Sequence, residues 1–173
     1  MLLKPLGGAR PRLHPTTRAA ETAVAVGDVT LAENVNLWYG AVLRGDMAPI
    51  SVGENTNIQD NAVLHCDCGV PCRVGRDVSV GHNAVVHSAT VGDGCLIGMG
   101  AVLLSGCSLG EGCIVGGGAV VPGSLHAPAH SLIVGVPGRV VRTLRPEETE
   151  HLRENVEHYL EYAALELERA GEE

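Results

Sequence analysis

Aromatic side chains are nearly missing from this chain, which has one tryptophan, three tyrosines and no phenylalanine in 173 residues. That scarcity excludes a wide, ring-filled interior and points to a thin one. Clusters of positive charge are also missing. Lys and Arg number 12 against 20 Asp and Glu, a formal net charge of −8, which argues against nucleic acid or an anionic membrane as partner. No apolar run approaches the roughly 20 residues of a membrane span. The opening MLLKPLGGARPRLHP lacks the continuous apolar stretch of a secretory signal, so a cytoplasmic location is expected. The length suits one domain with a sizeable core.

Glycine, by contrast, is abundant, and its 23 copies are not scattered. From Val91 the chain reads VGDGCL, IGMGAV, LLSGCS, LGEGCI and VGGGAV, each unit opening on an aliphatic residue with Gly at its fourth position. A period of six is too short for a helical repeat unit and is three times the two-residue period of a strand. It predicts a parallel β-helix of hexapeptides, three to a triangular turn of about 18 residues.

Carried backwards, units opening at Ala25, Leu31, Leu37, Leu43, Val52, Ile58, Leu64, Val74, Val80 and Val86 keep every first position aliphatic. Their fourth positions are Asp28, Asn34, Gly40, Asp46, Asn55, Asn61, Asp67, Asp77, Asn83 and Ala89. All but Ala89 tolerate a left-handed backbone at a corner. Fifth positions are mostly small or β-branched, as a narrow interior requires. The register slips after Leu43, after Leu64 and after Val86, and interrupted corners of a solenoid are where binding groups collect.

The six cysteines divide by register. Cys95, Cys107 and Cys113 fall at fifth positions, as small inward fillers. Cys66, Cys68 and Cys72 lie in the interrupted stretch after Leu64. Their CxCxxxC run offers a soft-metal site or a disulfide, though without the stronger CxxC spacing. Stable disulfides are disfavoured in a cytoplasmic protein.

Residues 1–22 read as a lead-in covering the first turn, 23–137 as the β-helix, 138–145 as a connector and 146–170 as a C-terminal helix. Pro146 suits the first helical turn, Glu147 and Glu148 complement the dipole there, and Gly171 follows the end. Leu152, Val156, Tyr159, Leu160, Ala163, Ala164 and Leu167 form one apolar stripe. That stripe must pack along the prism or against a neighbouring subunit.

Three histidines fall inside the repeat. His65 and His87 are the second residues of the Leu64 and Val86 units, one turn apart. They should stack on one face about 4.8 Å apart, a spacing suited to two imidazoles converging on one metal with bonds of about 2.0–2.1 Å. Arg44 holds the same place a turn earlier. His82 belongs to the Val80 unit on another face, one turn above Gln59 and Asp60. One chain thus carries two polar columns, neither with three ligands. A three-fold homotrimer pressing one face of each subunit against a different face of the next would build a three-histidine site at each interface. The plainer alternative is that each histidine is a surface residue or a hydrogen-bonded core residue. His14, His126, His130, His151 and His158 lie outside the register.

The set Arg44-x-Asp46, Gln59-Asp60, His65, and His82 with His87, on hexapeptide repeats with a C-terminal helix, resembles the γ-class carbonic anhydrase family. The resemblance spans nearly the whole chain. It implies a left-handed parallel β-helix, homotrimeric, with zinc (iron or cobalt in some members) held by His65, His82 and His87 across each interface. It also implies reversible hydration of carbon dioxide to bicarbonate by a metal-bound hydroxide. Gln59 would hydrogen-bond the bound water or the substrate. Arg44, Asp46 and Asp60 would form an intersubunit ion-pair network, for which an Arg–carboxylate pair is well shaped. Tyr159 resembles a tyrosine that some relatives place near the site, although packing within the stripe explains it equally well.

Two departures bear on turnover. Positions where the best-characterised type carries proton-shuttling glutamates are Met47 and Cys68 here, as in the family's shorter-loop branch, which also lacks these acids. Two alternatives therefore stand beside a zinc-dependent lyase. One is a hexapeptide acyltransferase or CoA-ester thioesterase using one histidine as base. The other is a catalytically weak, metal-binding trimeric scaffold.

Overall fold

The computed structural model describes residues 1–170. Its mainly β architecture is a parallel solenoid of about seven turns with one helix near the C-terminus. Each turn lays one short strand on each of three faces. The first face stacks Leu2–Lys4, Val24–Leu31, Val42–Val52, Val63–His65, Val85–His87, Val102–Leu103 and Val120–Val121 in parallel. The second stacks Arg12–Leu13, the C-terminal halves of Val24–Leu31 and Val42–Val52, then Cys72–Val74, Thr90–Val91, Ser108–Leu109 and His126–Ala127. The third runs from Arg18–Ala19 through Asn36–Leu37, Asn57–Ile58, Ser79–Val80, Leu96–Ile97 and Ile114–Val115 to Ser131–Val134.

The six-residue register is the packing of the core. Every aliphatic first position from Ala25 to Val115 is at most 4 % exposed. Leu43, Leu64, Val86 and Leu103 form one fully buried stack, and each leucine in it contributes about 1.5–3 kcal/mol by leaving water. Cys95, Cys107 and Cys113 are buried fillers as expected, and Cys66 and Cys72 join them, while Cys68 is exposed. All six are free thiols.

The corners depart from the pattern in one place. Left-handed backbone falls on the expected fourth position at Asn34, Asn55, Asn61, Asp77, Asn83 and six glycines, but not at Asp28, Asp46, Asp67 or Ala89. These four share the corner between the first and second faces, where residues are gained or lost. There the positive φ moves to Gly27, Gly69 and Ser88, and Ala89 turns inward with no exposure. Asp46 and Asp67 are thereby released from corner duty and point at histidines instead.

Both ends also differ from expectation. The first 22 residues do more than lead in: their strands Leu2–Lys4, Arg12–Leu13 and Arg18–Ala19 are themselves a turn of the coil. Residues 138–145 contain the strand Arg139–Thr143, which pairs antiparallel with Ser131–Val134 and closes that end. The helix, Pro146–Glu166, stops short of 170. Glu168–Arg169 then pairs antiparallel with Arg18–Ala19, and Gly171 lies outside the described residues. The helix lies along the lower half of the third face. Leu152, Val156, Ala163 and Leu167 are buried as the stripe required, Tyr159 and Leu160 are half-buried, and Ala164 is exposed.

Glu148 ties the helix start to the coil. It receives both Arg142 guanidinium nitrogens at 2.7 Å and the Arg145 backbone N–H at 2.8 Å. Those bonds, from Arg142 first and then Arg145, hold its carboxyl well below the ordinary glutamate value of 4.5. A depressed carboxyl contributes stability that is complete above its unfolded value and lost as pH falls through the folded one. Thermal melts from pH 7 down to pH 3 should therefore show a Glu148→Gln variant less stable at neutral pH and flatter on the acid side. Parallel curves for the two proteins would refute this anchoring.

Candidate metal centre

Strand register brings two of the three repeat histidines together. Val86 pairs with Leu64, so His87 lies directly over His65, with ring centroids 5.0 Å apart and planes tilted by 52°. Arg44 sits one rung below. Its guanidinium pairs with one oxygen of Asp46, and the other Asp46 oxygen is 3.0 Å from His65 Nε2. Desolvation pushes the Asp46 carboxyl up, but hydrogen bonds from His65, its own backbone and Arg44 outweigh it and leave the carboxyl below the usual range. His87 Nε2 is 2.9 Å from Asp67 Oδ1. Hydrogen bonds from His87 and then Ser105 hold Asp67 below the usual range too.

His82 belongs to the second polar column. Because Ser79–Val80 registers on Asn57–Ile58, His82 lies over Asp60, with Nδ1 2.7 Å from Asp60 Oδ2. A carboxylate on one ring nitrogen fixes the imidazole and leaves the other nitrogen for a partner. The Tyr159 hydroxyl is 3.4 Å from that Nε2, and the Tyr159 ring meets Trp38 edge-on, centroids 5.4 Å apart. Burial, with the Asp60 charge second, pushes the Tyr159 phenol up. Within one chain Asp60 is bound to His82 and Arg44 to Asp46, so the implied ion-pair network falls into two halves on two columns.

Gln59 is held by residues that sequence reasoning passed over. Its Nε2 donates to Asn57 Oδ1 at 3.0 Å, Asn57 Nδ2 donates to Ser79 Oγ at 2.8 Å, and Asn155 Nδ2, from the helix, donates to the same oxygen at 2.8 Å. Asn57 and Ser79 are buried under the helix. Outward polar residues look like surface until something covers them. The signal available was that Asn36, Asn57 and Ser79 recur one turn apart on a single face.

Three neutral imidazoles fit zinc, iron(II) or cobalt(II), with no carboxylate or thiolate needed to complete the set. Among the described residues of one chain, no three His, Cys, Asp or Glu side chains are grouped so as to hold a metal ion. The CxCxxxC run does not change this. Cys68 is exposed, whereas burial pushes the Cys66 thiol up and the Cys72 thiol up to about 12, so two of the three are poor thiolate donors. Met47, at one position of the absent acids, meets the loop that carries Cys68, at the other: the Gly69 N–H donates to Met47 O at 3.2 Å.

Comparison with known proteins places the chain among relatives. The bacterial transferase hexapeptide (six repeats) family model matches residues 71–103 and 88–123. A hexapeptide transferase family protein from Anaplasma phagocytophilum superposes with a TM-score of 0.92 at 32 % identity, covering 96 % of this chain and 98 % of its own. The Arabidopsis thaliana protein named "Gamma carbonic anhydrase 2, mitochondrial" is 36 % identical over 161 residues, 90 % of this chain and 58 % of its own length. A protein of Methanocaldococcus jannaschii named "Probable carbonic anhydrase" is 46 % identical over 148 residues, 86 % of this chain and 93 % of its own. Kinship of that depth along most of both chains goes beyond a shared architecture, and the chain belongs to the γ-class carbonic anhydrase family.

Proposed function

We propose that this chain is a zinc-dependent carbonic anhydrase, hydrating carbon dioxide reversibly to bicarbonate at sites shared between the subunits of a homotrimer. The observation that carries the proposal is the in-register stack of His87 on His65, with His82 on a separate column of the same chain. Two donors on one column and a third on the other call for a second chain.

The surface between the two columns supports the trimer. Outward residues of the first face are Val42, Val63, Val85, Val102 and Val120, all half-buried and successive in register. Those of the second face include Thr30, Ser51, Arg73, Thr90 and Ser108, and those of the third lie partly under the helix. One face is therefore apolar and helix-free, and it lies between His82 and the His65–His87 pair. Contiguous apolar surface rimmed by polar groups is the mark of an interface. Leu104 and Met99, 42 % and 66 % exposed, extend the two columns above His87 and His82.

When bound, zinc supplies Lewis-acid activation of water near neutral pH. The chain's own residues do the rest. Asp60 holds His82 through Nδ1. Arg44 and Asp46 fix His65 from below. Gln59, locked through Asn57, Ser79 and Asn155, presents an amide to a bicarbonate oxygen. Trp38 and Tyr159 form an aromatic wall against the His82 side, limiting water there. Neither Met47 nor Cys68 can accept a proton as a carboxylate would, so product protons must leave through buffer or other groups.

Acyl transfer is favoured by the hexapeptide match and by the transferase name of the superposed Anaplasma protein. Metal analysis with stopped-flow hydration separates the two. The expected result is about one zinc per chain, with a His87→Ala variant losing both metal and hydration. Metal-free protein that transfers acyl groups from CoA esters would overturn the assignment. Metal-replete protein inert toward carbon dioxide would leave only a binding scaffold.

A further inference from the structure

Ser88 departs from the rule of the other corners. Among the described residues, every other non-glycine residue with positive φ is Asn, Asp or His, whereas Ser88 holds φ 46° at 3 % exposure. Serine has no special tolerance of that region, where glycine sits without strain. A strained backbone that persists is over-determined by its surroundings. Here the hydroxyl is the reason. Ser88 Oγ accepts the Asp67 backbone N–H at 2.6 Å and donates to Val70 O at 2.8 Å. Its backbone N–H donates to His65 O at 3.0 Å. The side chain thus bridges both limbs of the tight loop Asp67–Val70, itself closed by a Val70 N–H to Asp67 O bond of 3.1 Å, while the Ser88 backbone fastens the corner to the His65 rung.

We infer that Ser88 is a positioning residue: its hydroxyl clamps the loop so that the Asp67 carboxylate stays on His87 Nε2 and fixes that ring before any metal arrives. The clamp also explains why the register loses a residue after Val86. With the corner moved forward onto position 88, the hydroxyl falls between the two loop limbs. A partner that fixes an imidazole in this way typically alters metal affinity by about 10–100-fold when removed. The inference rests on His87 serving the metal site proposed above.

Ser88→Gly is the decisive variant, because it relieves the backbone strain while deleting the hydroxyl. If Ser88 were only a strained corner, glycine would be neutral or stabilising. In metal-free protein with 15N-labelled histidine, the expected result is a single hydrogen-bonded His87 ring form in the wild type and its loss in Ser88→Gly. Amide protection at Asp67 and Val70 should fall while the rest of the coil keeps its protection. An Asp67→Ala variant should lose the ring form yet keep the loop closed through Val70, which tests the same clamp should Ser88→Gly fail to fold. Zinc affinity, read by competition with a chromophoric chelator, should move by about tenfold in both variants. Wild-type ring and amide signals in Ser88→Gly, or in Asp67→Ala an undisturbed ring, overturn the clamp. Absence of zinc binding in the wild type would instead sink the metal-site proposal, while the ring and amide signals still judge Ser88.

Discussion

Mixing His82→Ala chains with His87→Ala chains in one trimer is expected to restore zinc binding and hydration that neither variant shows alone. Each pure variant lacks one imidazole at every interface. In a mixed trimer, an interface is whole wherever a His82→Ala chain lends its intact His65–His87 pair to a neighbour whose His82 is intact. Random assembly at equal amounts makes about a quarter of the interfaces whole. Zinc per chain and hydration rate should therefore recover to about a quarter of wild type in the unfractionated mixture. A mixture of wild type with the double variant His82→Ala/His87→Ala calibrates the scale, since random assembly again leaves about a quarter of its interfaces whole. A site built within one chain predicts no recovery in the first mixture, so complete inactivity there would end the shared-site proposal. Recovery well above a quarter would mean that assembly is not random.

This test was legible in the sequence because the register was. Once Leu64 and Val86 are first positions one turn apart, the stacking of His65 and His87 follows with no coordinates, and so does the separation of His82. Regular columns carry that information because each residue's direction is set by its place in a short repeat. The information fails where the repeat fails. At the corner between the first and second faces, Asp28, Asp46 and Asp67 are read as residues that suit left-handed backbone, yet the positive φ falls on Gly27, Gly69 and Ser88 instead. The count of residues across an irregular corner does not say which of them bends. The first turn was hidden for a similar reason. Leu3, Leu13 and Ala19 pair with Ala25, Leu31 and Leu37, but unequal insertions between them break the period.

The polar ladder to Gln59 was hidden differently. Asn57, Ser79 and Asn155 gain their meaning only when the helix covers the third face, and that docking is a tertiary event with no local signal. The valine column was in plain sight. Valine precedes the first position at residues 24, 42, 63, 85, 102 and 120, on one face only. Six-residue counting looked at positions one, four and five and passed over the sixth, which faces outward.

That column supplies the second large expectation: Val85→Glu should convert the assembly into folded chains of 18.0 kDa that bind no zinc. Val85 is half-buried in the single chain, midway along the column, with Val63 below and Val102 above. In the isolated coil a glutamate there can reach water, and surface changes of that kind usually cost within about 0.5 kcal/mol. In the trimer the same carboxylate is repeated three times and loses its water without a cationic partner, which costs several kcal/mol per site. Dissociation should therefore come without unfolding, a separation that the histidine variants cannot achieve. Light scattering reads the mass, circular dichroism the fold, and metal analysis the consequence for a site that needs two chains. Thr90→Glu, on the polar second face, should leave all three unchanged. Were Val85→Glu to remain trimeric and zinc-loaded, the interface would have to lie elsewhere, and His82 could not meet the other two histidines across this face.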